Sequence, residues 1–144
     1  MRVFNLACVG GRGSVNLVLL DHMKPITPPR RLRPEEAAII RNALERTSLA
    51  AVEPQLLESV ASLTVIGECE CGCRSLYFRQ PSADDYRVAD GAGYLPNWDR
   101  VGLLVWAGPG IAALEVVEHA GFGQLPLPDS VCSWGHAEQR DASL

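Results

Sequence analysis

The residues with the most chemical content are Cys69, Cys71 and Cys73, set in the run Cys-Glu-Cys-Gly-Cys, with Cys132 far downstream. Thiolates are good ligands for a borderline-soft ion such as zinc. Three of them converge on one ion if the chain bends at Gly72, where glycine permits backbone conformations closed to other residues. The fourth ligand would be Cys132, or one of His22, His119 and His136. The spacing departs from the usual zinc knuckle, which keeps two or more residues between paired cysteines. In a straight strand, alternate sulfurs share a face but stand more than ~6 Å apart, because each residue rises ~3.3 Å. The metal reading therefore requires an irregular turn. Packing is the simplest competing account, since cysteine behaves as a small hydrophobe. A redox account pairs Cys69 with Cys73 across a tight hairpin, which needs Cα atoms within about 7 Å. Cys8 and Cys132 read as isolated core or surface positions.

Other side chains are weaker candidates. Glu115 lies between Leu114 and Val116 in an apolar run. Pointed inward it would be costly unless paired, and such carboxylates mark functional sites. The simpler expectation puts it on the solvated face of an antiparallel sheet, in line with Ala113 and Val117. Asp84, Asp85, Asp90 and Asp99 lack the spacing of a calcium loop and read as solvated turn residues. Gly10 to Ser14 lacks the lysine of a phosphate loop. No serine or cysteine stands with a histidine in a nucleophile motif, so an enzyme is not the favoured reading. Trp98, in a loop, is either an exposed contact anchor or, more commonly, a partly buried ring.

The elements that must position these residues follow from pattern. Pro34, Glu35 and Glu36 form a helix start, because proline needs no N–H there and acidic groups favour the positive helix end. Ala37, Ile40 and Leu44 then recur at helical spacing up to Thr47, and a shorter helix is expected over 53–61. The period then becomes alternating. Strands are expected over 63–68, 74–79, 86–89, 101–107 and 111–118, with tight turns at Gly72 and at Gly108-Pro109-Gly110. Residues 90–100, with Gly91, Gly93, Pro96 and Asn97, read as a loop. Two helices followed by five strands, without βαβ alternation, predict an α+β fold: two N-terminal helices packed on a mostly antiparallel sheet of about five strands.

The expected domain plan is an N-terminal extension and proline-rich connector over 1–33, one α+β domain over 34–130, and a polar tail over 131–144. Val15 to Leu20 reads as an extra edge strand, or else Met23 is the true start. The chain has 144 residues, 47% hydrophobic and 21% charged, which is enough for one core without staples. Its net charge of −4 gives no support for nucleic-acid binding. Arg30, Arg31 and Arg33 sit among prolines and read as a solvated connector. Five cysteines, an odd number, do not suit a fully paired secreted scaffold. No apolar stretch reaches the ~18 residues of a membrane span. A cytoplasmic protein is expected.

The order of features resembles a loose group of small bacterial proteins of unknown function. They share a Pro-Glu-Glu helix start, a Cys-x-Cys-Gly-Cys segment followed by serine, an apolar hairpin containing Leu-Glu, and a proline-rich end. The corresponding pieces are Pro34-Glu35-Glu36, Cys69 to Ser75, Val101 to Val117 with Leu114-Glu115, and Leu125 to Pro128. The resemblance spans about residues 32–130 and implies a shared fold, with no activity attached. Members often carry threonine before the first proline; Arg33 stands there in this chain and cannot cap the helix as threonine does. Two functions are therefore expected. One is a small binding or accessory protein that contacts itself, as a homodimer, or another protein. The other is a zinc-binding protein using Cys69, Cys71 and Cys73, with Cys132 as the further ligand.

Overall fold

The structure is a computed structural model and describes residues 23–46, 53–118 and 123–134. Strand β1 (Met23–Arg31) is followed by helices α1 (Pro34–Glu45) and α2 (Pro54–Ser59). Then come β2 (Thr64–Cys69), β3 (Leu76–Tyr77), β4 (Tyr86–Tyr94), β5 (Arg100–Ala107), β6 (Ile111–Glu118) and β7 (Cys132–Ser133). All seven strands form one sheet in the order β1-β2-β3-β6-β5-β4-β7, each pair antiparallel.

Helix α1 starts where its sequence says. Pro34 occupies the first turn, and the Glu36 carboxylate reaches back to accept the Arg33 N–H at 2.8 Å. Arg33 has no acceptor to return the bond, so Glu36 supplies the capping alone. The helix buries Ile39, Ile40, Ala43 and Leu44 in one core cluster with Val101, Leu103, Val105, Leu114 and Val116 of the sheet. Burying one such aliphatic side chain is worth about 1.5–3 kcal/mol, more than a cap at ~1 kcal/mol, so the sheet holds the helix in place.

Strands β5 and β6 are buried on both faces. Trp106 stands opposite Ala113 and Leu104 opposite Glu115, while Val105 pairs with Leu114 and Leu103 with Val116 on the helix side. Trp106, Ala113 and Leu104 join Tyr77, Cys69 and Cys73 in a second cluster, separate from the helix-covered core.

The sequence-based fold class needs correction. The sheet has seven strands instead of five, and only two short helices accompany it. The missing strands lie at the two edges. β1 occupies the expected connector: Pro25 and Arg30 bracket a register shift against β2, and an edge position tolerates prolines that cannot donate to a ladder. β7 lies in the expected tail, where Ser133 Oγ donates to Ala43 O at 2.7 Å and the Ser133 N–H donates to Arg46 O at 3.0 Å. The sheet therefore extends beyond 34–130 at both ends.

Strand β4 also runs through the expected loop. A Cβ on Gly91 would meet the Cys132 carbonyl, and one on Gly93 would meet Pro126 and Val131. Those glycines mark close backbone approach within a strand, not a turn. Val15 to Leu20 lies outside the described residues. Among the described residues, no helix is long and apolar enough to cross a membrane.

Candidate metal centre

The turn joining β2 to β3 carries the three cysteines. The Cys69 N–H donates to Ser75 O at 3.3 Å, and the Gly72 N–H donates to Cys69 O at 3.2 Å. Two residues take left-handed backbone conformations, Gly72 with φ 83° and Arg74 with φ 74°. Glycine does so freely, whereas a side-chain-bearing residue gives up about 1–2 kcal/mol. Arg74 Nη1 donates to Gly123 O at 3.4 Å, which helps hold that conformation.

The result is the irregular turn that the spacing demanded. The sulfurs of Cys69, Cys71 and Cys73 all lie within 4.8 Å of one another. A tetrahedral zinc with Zn–S of ~2.3 Å needs sulfur pairs at about 3.8 Å, so closing this group on an ion takes about 1 Å of movement. Cys69 Sγ is 3.0 Å from Cys71 Sγ. Cys71 is carried here in disulfide form, and its sulfur ligates only once reduced.

Cys69 and Cys73 are buried. Cys73 Sγ lies 3.1 Å from Ser75 Oγ, and that same hydroxyl accepts the Val116 N–H at 2.9 Å. Ser75 thereby fastens the cysteine turn to β6 beside Glu115.

Glu115 does not face solvent. It is fully buried, with Oε1 accepting from the Trp106 indole N–H at 3.0 Å. Its Oε2 and the buried Tyr77 hydroxyl have no hydrogen-bond partner among the described residues. Burial pushes the Glu115 carboxyl up to about 8; the Trp106 bond opposes this and the neighbouring Cys73 adds to it. The Cys69 thiol is pushed up by its hydrogen bond with Cys73 and by burial, with the fields of Cys73 and Glu115 contributing. Burial raises the Tyr77 phenol, helped by Cys69, Cys73 and Glu115. These residues form one electrostatic unit.

That electrostatic bias limits the chemistry. A nucleophilic cysteine needs a depressed pKa from nearby positive charge, and this site does the opposite. A divalent cation displaces such protons and supplies the missing positive charge, which suits a metal site.

Cys132 is not brought to the triad. It lies on β7, paired with β4, while the triad flanks β3, four strands away in the sheet order. At ~4.8 Å per strand that separation is about 19 Å. His22, His119, His136 and Cys8 lie outside the described residues.

The acidic turn residues form no cation site. Asp85, read as solvated, accepts a fork from Arg79 at 2.8 and 3.2 Å and the Ser82 N–H at 2.7 Å. Asp90 lies 3.6 Å from Arg87, and Asp99 accepts from Asn97. Trp98, expected to be partly buried, is 78% exposed.

The residues that sequence reasoning missed or misplaced are Glu115, Trp106 and Tyr77. A signal was present: Ala113 and Val117, which share Glu115's face of β6, are apolar, so that face had no polar pattern. No family model, no curated protein and no solved structure matches the chain.

Proposed function

We propose that this chain is a thiolate metal-binding protein whose reduced Cys69, Cys71 and Cys73 hold one zinc-class ion. The observation that carries this reading is the convergence of three sulfurs within 4.8 Å on a turn built from two left-handed residues. Cys69 and Cys73 are buried, and a buried thiol raised as Cys69 is makes a poor nucleophile. A structural ion that contributes folding free energy fits better than an open catalytic one. The test is native mass spectrometry of reduced protein with zinc, beside thermal melts with and without chelator. One zinc per chain and a melting temperature that falls on chelation are expected. A metal-free species whose melting ignores zinc, and behaves like the Cys69→Ser, Cys71→Ser, Cys73→Ser triple variant, would remove the reading.

A second reading, self-association, has one observation in its favour. The Trp98 ring stands exposed at 6.0 Å from the Tyr94 ring. Exposed Leu127 and Trp134 adjoin it, through the Leu127 N–H donated to Tyr94 O and the Arg100 guanidinium over the Trp134 ring at 5.4 Å. Such rimmed aromatic patches mark contact surfaces. Light scattering should then show a concentration-dependent dimer that Trp98→Ala abolishes. A strict monomer at high concentration contradicts it.

A further inference from the structure

Resting on the metal reading above, we infer that Glu115 supplies the fourth ligand, making an enclosed Cys3Glu site for a tetrahedral divalent ion of the zinc class.

Three observations converge on this residue. First, Glu115 is fully buried with only half of its carboxylate satisfied: Trp106 occupies Oε1 and nothing among the described residues bonds Oε2. A buried carboxylate oxygen without a partner is costly, and coordination would supply the partner.

Second, the backbone places it correctly. β6 is the neighbour of β3, with Leu76 opposite Leu114 and Tyr77 opposite Ala113. The Ser75 hydroxyl joins Cys73 Sγ to the N–H of Val116, the residue after Glu115.

Third, the surroundings match what metal ligands need. Ligating carboxylates are themselves held by hydrogen bonds, which is the role of the Trp106 indole. The Tyr77 hydroxyl, buried in the same cluster and without a partner there, is available to donate to a metal-bound sulfur or oxygen.

Glu115 is not within the 4.8 Å group of sulfurs. Ligation therefore requires the cysteine turn and Oε2 to close on one another while Oε1 keeps its Trp106 bond. Three sulfurs and one oxygen suit zinc, whose Zn–O distance is ~2.0–2.2 Å against ~2.3 Å for Zn–S.

The experiment uses the full reduced chain loaded with zinc. X-ray absorption at the zinc edge should show three sulfurs and one oxygen, and chelator competition should show Glu115→Gln weakening zinc by at least 10-fold. Should Glu115→Gln not fold, Glu115→Asp is read on the same scale. A shell of four sulfurs, or a variant that binds zinc as tightly as wild type, overturns Glu115 as ligand while leaving the three-cysteine site standing. Failure of the wild type to bind zinc overturns both.

Discussion

Glu36 and Glu115 are both fully withdrawn from solvent, yet the protein treats them in opposite ways. Glu36 receives both arms of the Arg30 guanidinium at 3.0 Å and the Arg33 N–H at 2.8 Å, with Arg33 Nη1 a further 3.6 Å away. Burial works against its charge, but those donors outweigh it and hold the carboxyl below its ordinary value. Glu115 receives one neutral indole N–H and is pushed up by burial to about 8. The first is the complete arrangement of a structural ion pair that ties β1 to α1. The second is incomplete, and it lies in the field of Cys69, whose thiol is also raised. Burial alone does not separate a structural carboxylate from a functional one; the completeness of its partners does.

The comparison predicts contrasting responses. The largest effect should come from Glu36→Gln, which leaves the Arg30 guanidinium without its counter-charge. Breaking a buried pair costs about 3–5 kcal/mol, and the partial exposure of Arg30 puts this one at ~3 kcal/mol. Denaturant unfolding at neutral pH measures it. A loss under ~1 kcal/mol would place the pair with ordinary surface bridges.

Next comes Glu115→Gln in metal-free, reduced protein. A carboxyl raised from 4.5 to about 8 makes the native state hold its proton longer than the unfolded state does. Wild-type stability therefore falls as pH rises through that window, while below it the carboxyl contributes no penalty. The variant should be more stable than wild type at pH 8, with little difference near pH 4. A pH-independent difference would show that Glu115 is solvated or already ionised. Glu36 has the opposite sign: its stabilisation is present above 4.5 and is lost as pH falls.

Ser75→Ala should cost about 1–2 kcal/mol, because the buried Val116 N–H loses its acceptor. The same change should loosen the cysteine turn and lower zinc affinity. Unchanged melting would mean that the hydroxyl does not hold β6 to the turn. The smallest effect belongs to Cys132→Ser. At an exposed edge position it should shift stability by less than ~0.5 kcal/mol and leave zinc stoichiometry unchanged.

Much of the framework was legible because local rules govern it. The α1 start at Pro34, the β5–β6 hairpin around Gly108-Pro109-Gly110 and the need for a bend at Gly72 all follow from residues that restrict or free their own backbone. The edge strands were not legible. β1 is rich in proline and β7 has two residues, so neither carries an alternating pattern, and both exist through pairing with distant partners. Gly91 and Gly93 read as loop residues because the chain that approaches them, around Pro126 to Cys132, lies more than thirty positions away.

By itself the sequence determined three thiols at alternate positions around a glycine, a carboxylate in an apolar run, and a chain able to build one core. Tertiary structure decided which of these meet. It drew the three sulfurs together, sent Cys132 to the far end of the sheet, and turned Glu115 inward opposite Leu104. The alternation of a strand says that neighbouring residues face opposite ways, but whether a face meets water depends on what the rest of the chain lays over it.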